Sequence, residues 1–162
     1  MSKSMARVEA ALEAAGLGAR IIEPGPSRTA QEAANACGCA LDQIVKSLIF
    51  QGESGKIYLF LTAGGNQIDA ALATEAAGEP LQRADAAVVR SETGFAIGGV
   101  APLGHLKAPV ILADPRLLAF TEVFAAAGTP RHVFAAEPRA LLDACGARLA
   151  RFTVGAKRDA TA

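Results

Sequence analysis

The stretch QIVKSLIFQGESGKIYLFLTAGG, residues 43–65, constrains this chain more than any other. Two runs rich in β-branched and aromatic residues flank the turn-forming segment GESGK. Together they read as a β-hairpin. Alternate residues of a strand point to opposite faces. Ile44, Lys46, Leu48 and Phe50 therefore share one face, and Val45, Ser47 and Ile49 share the other. Neither face is obviously wet, which predicts central strands covered from two sides. Such a hairpin also places a lysine, Lys46, deep in a sheet. A lysine there must pair, reach solvent or serve a site. The residues alone leave all three open, with Asp69 and Asp114 as candidate partners.

The rest of the chain supplies layers for that sheet. SMARVEAALEAAGLG has Val8, Leu12 and Ala15 at helical spacing, with Gly16 to stop it. ARIIE reads as a short strand ended by PGPS. TAQEAANACG begins a helix at Thr29 with Glu32 three residues on, a capping-box pattern, and Gly38 ends it. DAALATEAAG and DAAVVRSETG read as helices capped by Asp69 and Asp85. APVILAD reads as a strand, and EPRALLDACG as a helix with Pro138 in its first turn. EVFAAAG and RHVFAA are ambiguous between strand and turn, and ARLARFTV reads as a last strand. Helices and strands interleave irregularly around one hairpin. This predicts an α+β fold with a mixed sheet rather than a regular βαβ array.

Length and charge set the outer bounds. A chain of 162 residues fits a single domain over residues 1–162. No apolar run approaches the ~18 residues of a membrane span, and the N-terminus has no apolar signal-peptide core. A cytoplasmic location is the expectation. Net charge is zero, with an acidic middle and a basic final third that includes Arg148, Arg151, Lys157 and Arg158. That tail can touch phosphate but is not the footprint of a strong general nucleic-acid binder. Cys37 and Cys39 form C-x-C, which is not a zinc or thioredoxin-like spacing, and Cys145 stands apart. Small buried thiols are expected. His105 and His132 have no partner at ligand spacing, so neither a metal nor a cofactor is expected.

The segment TGFAIGGVAPLGH, Thr93–His105, carries four glycines and almost no reactive side chain. It lacks the G-x-x-x-x-G-K-[ST] spacing of a phosphate loop. It is either a tight connection or a surface where a ligand approaches the backbone. In the second case N–H groups hold a carbonyl or a developing oxyanion without any side chain. LTAGGNQID offers the amides of Asn66 and Gln67 after a Gly64–Gly65 turn. Ser47, Ser91 and Thr93 have no histidine at a predictable position, which argues against a hydrolase triad.

TAQEAANACGCALDQIVKSLIF, LTAGGNQID, TGFAIGGVAPLGH and VILAD occur in that order. In this the chain resembles the YbaK/ProX-like family of aminoacyl-tRNA deacylases, the prolyl-tRNA editing domain superfamily. The likeness covers roughly residues 6 to 150. It includes the strand lysine, Lys46, and a G-x-x-x-P loop from Gly98 to Pro102. AAGTPRHVF resembles the family's closing segment.

The resemblance implies a curved mixed sheet with helices around it. It implies a trans-editing enzyme that hydrolyses the ester of a mischarged small amino acid on tRNA, with tRNA(Pro) the expected carrier. Prolyl-tRNA synthetase becomes a candidate partner. Lys46, Gly98 and Gly99 would take the catalytic positions, with Lys46 holding the terminal adenosine or the ester. Thr93, Phe95, Ile97, Val100, Pro102, His105, Asn66 and Asp114 would surround the substrate. An activated ester needs positioning and oxyanion stabilisation more than a nucleophile, so the missing triad fits. Gln67 stands where family members often carry arginine. The alternative is a non-catalytic module that binds tRNA 3′ ends or nucleotides through the same loop.

Overall fold

The computed structural model describes residues 2–155. In chain order the elements are α1 (Lys3–Ala14), β1 (Ile21–Ile22), α2 (Ala30–Cys37), β2 (Ile44–Gly52), β3 (Ile57–Ala63), α3 (Ala70–Ala77) and β4 (Leu81–Arg83). They continue with α4 (Ala86–Thr93), β5 (Val110–Ala113), β6 (Val123–Ala126), β7 (Val133–Ala136), α5 (Pro138–Cys145) and β8 (Arg148–Leu149). The fold is α+β, as predicted, with one mixed eight-stranded sheet ordered β1-β7-β6-β2-β3-β5-β8 and β4 pairing with β2.

The hairpin forms and lies at the centre of the sheet. β2 and β3 pair antiparallel from Val45↔Ala63 to Gln51↔Ile57. Their alternation feeds two cores. Val45, Ile49, Leu59 and Leu61 join one, with Val8, Val89 and Leu141 from the helices. Tyr58 and Phe60 join the other, where Phe60 meets Phe152 edge-on at 4.8 Å. Helix starts follow the polar residues that the sequence offers. Thr29 and Glu32 form the full capping box. Asp69 and Asp85 accept from Leu72 and Val88 N–H at 3.0 and 2.9 Å. Each such cap stabilises its helix by about 1 kcal/mol.

The outer edge of β2 determines where the site lies. Parallel β6 pairs with it only at Ile44 and Val45. Antiparallel β4 pairs with it at Phe50–Gly52, and Ala84 N–H reaches back to Ile49 O at 3.3 Å. Between these contacts the edge of β2 has no strand beside it.

Several expectations change. The ambiguous EVFAAAG and RHVFAA runs are β6 and β7, a second antiparallel hairpin from Val123↔Ala136 to Ala126↔Val133. Their alanines carry little strand preference, and pairing with β2 decides the matter. β4 had no sequence signal; its three residues form a strand because β2 offers an edge there. Only Arg148–Leu149 of ARLARFTV is strand, and Phe152 turns into the second core. All three thiols are half-buried rather than buried. Arg148 is tied to the end of α3, donating to Ala76 O at 2.8 Å. Lys157 and Arg158 lie outside the described residues. No helix among the described residues is long and apolar enough to cross a membrane.

Candidate functional site

A cavity of about 310 Å³ opens at the gap in β2's edge. Ile44 to Ile49 all line it, so both residue parities of the strand reach it. A cavity confined to one face would meet only alternate residues. This one therefore wraps the edge of the strand. Its other walls are the segment that leads into α2 (Pro24, Ser27, Thr29 and Ala33 among them), Ala84 and Val89, β6, the loop residues Ile97, Gly98 and Val100, and the turn at Thr129, Pro130 and His132. Arg28 and Arg83 join Lys46 around it, and among the described residues no carboxylate lines it.

Lys46 and the glycine loop approach this cavity from different sides. Lys46 shares its face with Leu48 and Phe50, and these three also line a second cavity of about 450 Å³ with Gln67 and Arg83. Val100 packs in the other core, with Val45 and Ile49. Lysine and loop thus lie on opposite faces of β2 and meet around its open edge.

A chain of polar contacts fixes Lys46. Its Nζ donates to the backbone O of Asn66. Asn66 Nδ2 donates to Asp114 Oδ2 at 2.8 Å. Asp114 is 3% exposed. It also accepts from Ala63 N–H at 3.1 Å and Arg116 N–H at 3.0 Å. Burial pushes the Lys46 pKa down, while Asp114 and Asp42 pull it up. The Gly64–Gly65 turn that carries Asn66 needs its glycines, because a Cβ on Gly64 would collide with Leu41 O. Asn66 and Asp114 are therefore placed to position the lysine, and neither lines the main cavity.

The glycine loop is held from behind. Arg7 of α1 donates to Gly94 O at 2.6 Å and to Gly104 O at 3.3 Å, tying both ends of the stretch. Its guanidinium lies 5.0 Å from the centre of the Phe95 ring. Phe95 is fully buried, and His105 packs edge-on to it at 5.7 Å. His105 Nε2 bonds Ala101 O at 2.7 Å, and burial lowers the His105 pKa. Thr93 Oγ1 donates to Val89 O at 2.6 Å and accepts from Phe95 N–H at 3.1 Å. Pro102 is buried. Thr93, Phe95, Pro102 and His105 thus support the loop instead of lining the cavity. Ile97, Gly98 and Val100 do line it.

Gly99 behaves differently from expectation. Its N–H donates to Ala96 O at 3.0 Å, so it is engaged within a turn, and Gly99 is not among the residues that line the cavity. A Cβ on Gly99 would stand 2.8 Å from Thr129 Cα. The glycine lets two backbones pack together. Gly98 N–H has no hydrogen-bond partner among the described residues, and Gly98 has φ +91°, a conformation glycine adopts without strain.

Sequence reasoning missed Arg7, Arg28, Arg83, Thr129 and His132 as part of this region. His132 Nδ1 lies 2.6 Å from Thr129 Oγ1, and both residues line the cavity. The Gly-Thr-Pro turn beside a histidine was the available signal for that pair. Arg7 gave none, since an arginine on an amphipathic helix reads as a solvated residue.

Comparison with known proteins gives the chain's family. The aminoacyl-tRNA editing domain matches residues 24–144, which includes all of β2 and the glycine loop. A solved structure described as a candidate trans-editing enzyme for prolyl tRNA synthetase is 47% identical, with TM-score 0.87, covering 94% of this chain and 98% of that one. The hypothetical protein APE2540 is 32% identical with TM-score 0.84, over 91% of this chain and 99% of that one. YwhH of Bacillus subtilis (strain 168), an uncharacterized protein, is 33% identical over 115 residues, 71% of this chain and 73% of that protein. A lysine strand open on one edge, a glycine loop packed across it and a match over most of the chain lead to one assignment: this protein belongs to the aminoacyl-tRNA editing domain family.

Proposed function

We propose that the protein is a trans-acting aminoacyl-tRNA deacylase that hydrolyses the ester of a small amino acid mischarged on tRNA. The observation that carries this reading is the cavity itself. Among the described residues it has apolar walls, three Lys or Arg side chains and no carboxylate. An acyl group suits the apolar part, and the phosphates of a tRNA 3′ end suit Arg28, Arg83 and Lys46. Arg83 lines the same second cavity as Gln67, so it supplies charge to the space where the family arginine is missing. The basic C-terminal third is not needed for that.

Chemistry then rests on placement. The ester is already activated, and holding it rigidly removes most of the entropic barrier. Gly98 N–H donates to the acyl carbonyl as charge builds on it. Lys46 holds the adenosine or ester end from the other face of β2. Water, oriented by a hydroxyl of the substrate, attacks the carbonyl, the bond to the ribose oxygen breaks, and that oxygen takes up the proton the water gives up. Ile44, Val89 and Val100 limit the side chain that fits. A second sieve of this kind is useful because a synthetase separates amino acids differing by one methylene by only ~1–3 kcal/mol.

The carrier we propose is tRNA(Pro), with prolyl-tRNA synthetase as the partner, on the strength of the 47% identical structure. The 162 residues act as one editing domain in the cytoplasm, where aminoacyl-tRNA is made and used. The test is ester loss from tRNA(Pro) charged with alanine, cysteine or serine. Hydrolysis of one of them supports the reading. Saturable binding with no ester loss from these or other mischarged tRNAs replaces it with the binding-module alternative.

A further inference from the structure

We propose that the aminoacyl group docks on the open edge of β2 as a one-residue strand, with Ser47 as its pairing partner. This rests on the deacylase reading and says which atoms recognise the substrate. In an antiparallel ladder, alternate residues turn both backbone groups toward the same neighbour. Ile49 O accepts from Ala84 N–H, on the side away from β3. Val45 pairs with β6 on that same side. Ser47 lies between them and so turns its N–H and C=O into the gap. β6 pairing stops at Val45 and the reach of Ala84 stops at Ile49, so neither neighbour meets Ser47.

The side chain of Ser47 gives a second, independent observation. Its Oγ is the one buried side-chain oxygen or nitrogen among the described residues with no hydrogen-bond partner. Ser47 nonetheless lines the cavity. An unpaired buried hydroxyl destabilises a fold unless something uses it. A turn about χ1 between staggered positions swings this one toward the gap.

The gap has the right length for one residue. Val45 to Ile49 spans about 13 Å at ~3.3 Å per residue. That is too short for the five or six residues of an ordinary added strand. It accommodates a single N–Cα–C=O unit, which an aminoacyl ester carries. In this pose Ser47 N–H donates to the ester carbonyl. Ser47 C=O and Oγ accept from the α-amine. Among the described residues no carboxylate lines the cavity to take that amine, so neutral oxygens accept it. The amino-acid side chain then points, as a strand side chain would, toward the face of Val100 or of Leu48.

The test compares alanyl and propionyl esters of one tRNA, the second lacking the α-amine, with wild-type protein and Ser47→Ala. Wild type should favour the alanyl ester in kcat/KM. Ser47→Ala should lose about tenfold more on the alanyl than on the propionyl ester, the worth of one hydrogen bond to a charged group. Its melting temperature should stay equal or rise, because an unsatisfied hydroxyl has been removed. Equal losses on both esters, with a lower melting temperature, would make Ser47 structural and overturn the assignment while leaving deacylation intact. Wild type inactive on every mischarged aminoacyl-tRNA would overturn the deacylase reading, and this pose with it.

Discussion

Gly99 packs so closely on Thr129 that a Cβ at Gly99 would stand 2.8 Å from Thr129 Cα. Two loops distant in sequence thus touch backbone to backbone, and their contact forms one wall of the cavity. Backbone cannot move aside as the end of a flexible side chain can. Gly99→Ala should therefore cost about 1–3 kcal/mol, the usual range for overpacking, and widen the loop. Gly98→Ala has open space, with Pro130 Cγ at 3.8 Å, but a positive φ. It should cost about 1–2 kcal/mol through backbone strain alone. Urea denaturation of both variants measures this, and the activity loss should be greater for Gly99→Ala if loop position controls the reaction.

Arg7 is predicted to affect activity without meeting substrate. Removing it frees both ends of the glycine stretch and uncovers Phe95. Arg7→Ala should destabilise by about 1–3 kcal/mol, as for loss of charge-assisted bonds. It should lower kcat/KM for deacylation, and Arg7→Lys should restore little, since one ammonium lacks the guanidinium's forked donors. Activity unchanged in a folded Arg7→Ala protein would show that the loop needs no tether.

Asp114 is predicted to act through Lys46. Asp114→Ala leaves two backbone N–H groups and the Asn66 amide without their acceptor. A loss of roughly 2–4 kcal/mol follows from unsatisfied buried donors. The variant also removes a charge that holds the Lys46 pKa up. The deacylation rate should then fall off at lower pH on the alkaline side than in wild type, after subtraction of spontaneous ester loss.

His105 gives a stability prediction. Burial holds its pKa below the ordinary value of 6.5, so the folded state favours neutral imidazole. As pH falls through about 6.5, the unfolded chain takes up a proton that the folded chain refuses. Stability is therefore full above that range and declines as pH falls toward the folded pKa. Melting temperatures between pH 8 and pH 5 should show this decline, and it should be shallower in His105→Asn. An identical slope in both proteins would assign the decline to other groups.

Much of this was legible in the sequence because local chemistry decided it. Thr29 with Glu32, Asp69 and Asp85 cap helices where expected, and the two-faced apolar runs are the central strands. β6 and β7 were not legible, because alanine-rich segments take their conformation from the strand they meet. The site was legible in part. Lys46, Gly98, Ile97 and Val100 reach the cavity. Thr93, Phe95 and His105 belong to the loop's support, a distinction that depends on which way a loop folds over. Nothing in the spacing of Lys46 and Gly98 showed that they lie on opposite faces, since the gap that joins them arises where β4 and β6 part. The role of Arg7 depends on a contact with Gly94, 87 positions away in the chain.

The central claim is that Lys46 and the glycine loop, meeting around the open edge of β2, hydrolyse an aminoacyl ester. The most direct measurement is single-turnover ester loss from alanyl-, cysteinyl- and seryl-tRNA(Pro), with wild type and Lys46→Ala at equal concentration. The account predicts hydrolysis of at least one by wild type, and a fall on the order of 100-fold in Lys46→Ala with its circular dichroism spectrum intact. Equal rates for the two proteins, or no ester loss above the spontaneous rate with wild type, would contradict it.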